Sequence, residues 1–176
     1  GQTALLIVTN QPGFFGVIGV ADQMRDEAPR VISALRKLGL HHSVMLTGDH
    51  ARVAEVMAKK VGVDEVRAGL MPDQKVTELG RLTADGGLVA MVGDGVNDAP
   101  ALAAASVGIA MGGGGTDVAL EVADVVLMKD DLKGLPIAVW ISHVARRRVR
   151  QNMIFAFTMI AVLVISSFFN LPLWLG

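Results

Sequence analysis

Between residues 3 and 128, short β-rich apolar runs alternate with stretches whose apolar residues recur at helical spacing. The runs are Thr3–Val8, Gly16–Ala21, Ser43–Leu46, Glu65–Ala68, Leu88–Val92, Gly108–Met111 and Val125–Met128. The helical stretches are Ala28–Leu38, Ala51–Val61, Asp73–Thr83, Ala99–Ala105 and Thr116–Ala123. In the first of these, Val31, Leu35 and Leu38 fall on one face. Gly39 and Gly62 stand where helices commonly stop. Such alternation predicts an α/β domain built on a mostly parallel, doubly wound sheet. Asn10–Gly13 reads as a hairpin turn between the first two strands. In a parallel sheet the reactive loops lie beyond the carboxyl ends of the strands. "TGDH" at 47–50 and "GDGVND" at 93–98 both follow strands, so both are expected on one rim.

After Asp131 the character changes. Leu132–Asn152 reads as an amphipathic helix ending in "ARRRVRQN", and Met153–Gly176 is a run of 24 residues without a charge. A bilayer-crossing helix needs about 20 apolar residues, and the dense part, Met153–Phe169, comes near that. A buried core helix is the alternative, but the uncharged run outlasts most core helices. The arginines before it place Arg146–Arg150 on the cytoplasmic side. The folded part is then expected in the cytoplasm, with one entry into a plasma or inner membrane. Pro172 predicts that the helix ends or kinks near Asn170. Three segments result: 1–130 folded, 131–152 a basic amphipathic stalk, and 153–176 transmembrane.

Composition agrees with this division. Hydrophobic residues make up 52%, high for a purely soluble domain. Residues 131–176 hold five basic residues and one acid, whereas residues 1–130 hold 11 basic and 16 acidic. The overall net charge of −1 argues against a general nucleic-acid binder. The absence of cysteine excludes disulfides, thiolate metal sites and a cysteine nucleophile within these residues. "GQTALLIVTN" has no basic n-region, so no signal peptide is read. With Gly rather than Met at position 1, the chain is expected to start inside a longer product.

Three loops carry chemistry. In "MVGDGVNDAP", residues 91–100, Gly93 and Gly95 permit a tight turn and close backbone approach. Asn97 or Asp98 could cap the helix that has Pro100 in its first turn. A cap needs one acid, however, and this loop has both Asp94 and Asp98. Two hard oxygen ligands after a strand suit Mg²⁺ completed by phosphate and water. In "LTGD", the Thr47 hydroxyl and Gly48 N–H could hold phosphate oxygens, with a helix N-terminus following from Ala51. In "MPDQK", Lys75 falls in the first turn of a helix, where the dipole disfavours a cation. A solvated surface lysine is the plain alternative. Beside the other two loops, Lys75 would neutralise charge on a transferring phosphoryl group.

"TGD", "PDQK", "MVGDGVNDAPALAAASVGIAMGGGGTDVALEVADVVLM" and "RRRVRQN" resemble the phosphorylation domain of P-type ATPases, most closely the heavy-metal-transporting (type IB) group. The resemblance runs from about Thr3 to Asn152, and the helix beyond fits the family's membrane helix. It implies a haloacid-dehalogenase-like fold. It implies that Thr47, Gly48 and Asp49 form the phosphate-contacting loop, and that Lys75 contacts an aspartyl phosphate. Asp94 matches the Mg²⁺ ligand, with Asn97 and Asp98 its supporting partners. "ADQMRDEA" resembles the segment where the nucleotide domain rejoins, with Asp22 and Arg25 at the conspicuous positions. The tail "FFNLPLWLG" resembles cobalt- or zinc-type members more than copper-type ones, so a Zn, Cd or Co cargo is expected over Cu.

The departures are equally specific. The family's Asp-Lys-Thr-Gly-Thr nucleophile motif is not in these residues, nor are Thr-Gly-Glu or Cys-Pro-Cys. ATP is therefore expected to be bound mainly by an upstream domain, and the chain alone is not expected to turn it over. The nucleophile strand is central in the family's sheet, so this chain lacks a middle strand and its neighbours would have unpaired backbone groups. The expected partners are the rest of a pump, membrane lipid and the transported cation. A membrane-tethered phosphatase would need an Asp-x-Asp pair, which is absent. A non-catalytic regulatory module binding Mg²⁺ or phosphate needs no nucleophile and stays open. Met153 and Met159 could be soft metal ligands, but packing or lipid-facing methionines are the commoner case. His41, His42, His50 and His143 show no ligand spacing.

Overall fold

The computed structural model describes residues 3–8, 15–20, 24–84, 87–93, 96–112, 121–129 and 131–168, with backbone only at 3–20. Outside the described residues lie the predicted turn Asn10–Gly13, Asp22, Asp94, most of the predicted helix Thr116–Ala123, and the tail from Phe169. The chain divides into two units, residues 1–136 and 137–176.

In the first unit, β1 (Thr3–Val8) and β2 (Phe15–Val20) form an antiparallel pair with Thr3 opposite Val20 and Val8 opposite Phe15. The βα alternation then follows. α1 (Ala28–Lys37) leads to β3 (Val44–Leu46), α2 (Ala51–Val61), β4 (Glu65–Arg67), α3 (Pro72–Ala84) and β5 (Ala90–Gly93). A 3₁₀ turn at Val96–Asp98 precedes α4 (Ala99–Ala104), β6 (Val107–Met111) and β7 (Val125–Leu127). The helices stop where the glycines predict. Gly39 and Gly62 take φ of 100° and 80°, a region that costs a Cβ-bearing residue energy, and the Gly62 amide closes α2 on the Ala58 carbonyl at 2.8 Å.

The parallel strands form two separate sheets. β3 pairs with β4, and β5, β6 and β7 form the second in that order. Among the described residues no strand pairs with both β3 and β5. At the amino end of the smaller sheet, Asp64 accepts hydrogen bonds from the Ser43 hydroxyl at 2.6 Å and the Ser43 amide at 2.8 Å. Arg36 reaches the same carboxylate at 2.6 Å and the Gly62 carbonyl at 2.8 Å. These contacts fix the β3–β4 register and tie both strands to the ends of α1 and α2. Their carboxyl ends therefore point together toward the loops at 47–50 and 68–71.

The core joins α3 and α4 to the larger sheet. Leu79, Met91, Ala101, Leu102 and Ala110 are buried together, and Leu46, Val76 and Val89 pack against them. Leu79 and Leu102 are the largest fully buried side chains, and each contributes about 1.5–3 kcal/mol by burial. Because Val76 and Ala99 face inward, their neighbours Lys75 and Asp98 are brought to the carboxyl end of β5.

α5 (Gly134–Phe168) is one continuous helix of 35 residues. It crosses the expected boundary between stalk and membrane segment at Asn152 without a break. Its most apolar 18-residue window has a mean hydropathy of 1.8, long and apolar enough to cross a membrane. Every side chain from Trp140 to Ile165 is exposed, so this apolar surface has no protein cover among the described residues.

Candidate phosphoryl-transfer site

The loops after β3 and β4 are joined by backbone hydrogen bonds, and the Lys75–Asp98 pair links the start of α3 to the start of α4. The Thr47 amide continues the β3–β4 ladder to the Arg67 carbonyl at 3.0 Å. The Leu70 amide returns to the Thr47 carbonyl at 3.0 Å, and the Gly69 amide to the Asp49 carbonyl at 2.8 Å. The Thr47 hydroxyl accepts from the Asp49 amide at 3.1 Å, an ST-turn that holds the tip of the loop. Gly48 lies where a Cβ would come within 3.3 Å of the Leu70 carbonyl oxygen. Gly48 and Asp49 are exposed, and Thr47 is half-buried.

α3 begins directly after this loop pair. Pro72 occupies its first position, where the missing N–H costs nothing. The Gln74 side chain reaches back to the Met71 amide at 2.8 Å, the return half of a capping box. Sequence reasoning missed Gln74. Its signal is present in the Gln three residues after Met71, but the Ser or Thr that would open a capping box is not.

Lys75 then donates to Asp98 Oδ1 at 2.7 Å. The two side chains are only 15% and 16% exposed. Asp98 stands at the N-cap position of α4 but makes no side-chain cap hydrogen bond. The capping reading of Asp98 is thereby corrected: its carboxylate turns to the ammonium, because Lys75 is close and cationic while the α4 amides offer only partial charge. Gly93 makes this possible. A Cβ there would lie 2.8 Å from the Asp98 Cβ and 3.1 Å from Oδ2. Asn97 is exposed. Asp94 follows Gly93 directly in sequence and lies outside the described residues.

The loops after β3 and β4 and the Lys75–Asp98 pair thus form one connected rim. It presents a hydroxyl, an ammonium and a carboxylate. Of the predicted site residues, Thr47 and Asp49 are joined by backbone hydrogen bonds to the loop before α3, and Lys75 and Asp98 touch directly. His42 Nε2 meets Glu65 at 3.2 Å at the amino end of the β3–β4 pair, the end opposite Thr47. Among the described residues no cluster of three or more His, Cys, Asp or Glu forms a metal centre.

A family model described as haloacid dehalogenase-like hydrolase matches residues 3–106. The chain belongs to the haloacid dehalogenase-like hydrolases. Within that family its likeness is to metal pumps, as the motifs imply. This dehalogenase-like chain is 46% identical over 99% of its length to a protein of Staphylococcus aureus (strain MRSA252) named "Probable cadmium-transporting ATPase", of which it covers 24%. It is 48% identical over 93% of its length to the zinc-transporting ATPase of Bacillus subtilis (strain 168), of which it covers 25%. The chain therefore spans about a quarter of the length of the curated relatives it matches. Its fold also matches the crystal structure of a zinc-transporting PIB-type ATPase in the E2.Pi state. That match has a TM-score of 0.84 and 39% identity, covering 98% of this chain and 28% of the other.

Proposed function

We propose that this chain works as part of a zinc- or cadmium-transporting P-type ATPase, as the C-terminal portion of its phosphorylation domain and the membrane helix that follows. The observation that carries this reading is the Lys75–Asp98 pair at 2.7 Å, set beside the linked Thr47 and Leu70 loops. A phosphoryl group entering this rim would meet the Thr47 hydroxyl and the Gly48 amide on one side. The Lys75 ammonium would offset the charge spread over its equatorial oxygens. Asp98 holds that ammonium in place.

The donor chemistry suits Mg²⁺: Asp94 and Asp98 both follow one strand in sequence, and Asp94 would be the direct ligand, with Asp98 and Asn97 in support. When bound, Mg²⁺ would supply further positive charge at the phosphoryl oxygens. The nucleophilic aspartate would come from another segment of the pump, on a strand seated between β3 and β5, and ATP would be held mainly by a separate nucleotide domain. α5 would cross the membrane with Arg146–Arg150 on the cytoplasmic side, leaving the folded unit in the cytoplasm.

Transplanting residues 1–176 in place of the matching segment of the Bacillus subtilis zinc-transporting ATPase tests this. The expected result is phosphoenzyme formation from ATP that depends on Zn²⁺ or Cd²⁺ and not on Cu⁺. A chimera that folds and reaches the membrane but never forms phosphoenzyme would favour the regulatory-module alternative.

A further inference from the structure

The four arginines of "RRRVR" do not form a uniform collar. At about 100° per residue, Arg146, Arg147 and Arg150 fall on one side of α5, together with His143 one turn earlier. Arg148 lies about 150° round from the centre of that stripe. Arg146 and Arg150 are four residues apart and Arg147 and Arg150 three apart, so like charges are stacked as neighbours and repel. α5 contains no Asp or Glu to relieve them. Among the described residues none of these arginines enters an ion pair, and all are exposed. The stripe calls for an external anion.

Its continuation says which kind. The same face runs on into Met153, Ile154 and Phe157, which are 52%, 60% and 63% exposed. Met153 begins about 5 Å beyond Arg150 along the helix axis. That is close to the depth of the headgroup layer, about 5–8 Å on each side of the hydrocarbon core. Trp140 lies at the edge of the same face on the aqueous side and is also exposed.

We propose that His143, Arg146, Arg147 and Arg150 form a one-sided site on α5 for the phosphate of an anionic phospholipid, whose acyl chains lie along Met153, Ile154 and Phe157. Guanidinium groups bind phosphate oxygens by paired N–H donors, and juxtamembrane basic clusters attract anionic lipid. The site depends on the face and not on total charge, so Arg148 contributes little. The proposal rests on the membrane-crossing reading of α5.

Native mass spectrometry of the full chain released from detergent tests it, with dioleoyl phosphatidylglycerol, dioleoyl phosphatidylcholine or inorganic phosphate added. Flotation of the chain with pure phosphatidylcholine vesicles checks insertion separately; failure to float overturns the membrane reading itself. With insertion established, phosphatidylglycerol adducts should exceed phosphatidylcholine adducts at least fivefold. Arg146→Gln/Arg150→Gln should lower that preference at least threefold, while Arg148→Gln leaves it unchanged. Equal retention of the two lipids overturns the proposal, as does an equal loss in Arg148→Gln. Displacement of the lipid by millimolar inorganic phosphate would reassign the stripe to free phosphate and also overturn it. Should the double variant not fold, Arg146→Lys/Arg150→Lys replaces it: the preference should fall, since paired guanidinium donors are lost while charge is kept, and no change is the contrary result.

Discussion

The Lys75 ammonium donates to Asp98 Oδ1 at 2.7 Å across 23 residues of sequence, and both side chains are largely covered. Lys75 stands in the first turn of α3, where the helix dipole disfavours a cation. Asp98 stands at the start of α4, where a free carboxylate would favour capping. Each gives up its local preference for the other.

That pairing should appear as coupling energy. Lys75→Met leaves the Asp98 carboxylate covered and unpaired, and the loss should be about 1.5–3 kcal/mol. In Lys75→Met/Asp98→Leu much of that loss should be recovered, as when both members of a pair are replaced together. Urea unfolding of the four proteins in detergent gives the cycle. Strict additivity would show that the pair is not coupled.

Gly93 should tolerate no side chain. Gly93→Ala places a Cβ 2.8 Å from the Asp98 Cβ, so it should destabilise the fold by about 1–3 kcal/mol. Gly80 in α3 has nothing within 4 Å of a Cβ, and Gly80→Ala should instead stabilise by about 0.5–1 kcal/mol through helix propensity. Thermal unfolding of the two variants should therefore shift in opposite directions.

Gln74 should matter through Lys75. Gln74→Ala removes the bond to the Met71 amide, which should cost about 1 kcal/mol and loosen the first turn of α3. Gln74→Glu keeps an acceptor and should restore most of it. Amide hydrogen exchange at Met71 should rise in the alanine variant and return toward wild type in the glutamate variant.

The acid limb of stability should depend on Asp64. Hydrogen bonds from the Ser43 hydroxyl and then its amide, aided by Arg36 and His42, hold the Asp64 carboxyl below its ordinary value of 3.8. A depressed folded value means the unfolded chain binds the proton first as pH falls. The contribution is fully present above the ordinary value and is lost as pH drops through the folded one. Between pH 5 and 2, Asp64→Asn should flatten part of the decline in denaturation midpoint, and Ser43→Ala should flatten it less. An unchanged slope in Asp64→Asn would remove this assignment.

Much of this structure is legible in the sequence, for identifiable reasons. The α2 limits follow from apolar period and the Gly62 stop, and the structure reproduces Ala51–Val61. The β5 limits shift, from a predicted Leu88–Val92 to Ala90–Gly93. Leu88 is 95% exposed, and the Val89 amide goes to the Ser106 hydroxyl, outside the ladder that begins at Ala90 and Val107. Hydropathy marks apolar residues but not which of them find a ladder partner. The candidate site residues Thr47, Lys75 and Asp98 are legible as loop chemistry. Their connections are not, because hydrogen bonds such as Lys75–Asp98 form only when α3 and α4 close on a shared core. Charge composition changes at Asn152, and α5 runs through that position as one helix.

The most direct measurement is phosphoenzyme formation in the Bacillus subtilis chimera carrying Asp94→Asn, compared with the unaltered chimera at matched expression. If Asp94 and Asp98 form the Mg²⁺ side of a phosphoryl-transfer site, the variant should lose Mg²⁺-dependent phosphoenzyme while the unaltered chimera forms it with Zn²⁺ or Cd²⁺. Normal phosphoenzyme levels in Asp94→Asn would contradict that assignment.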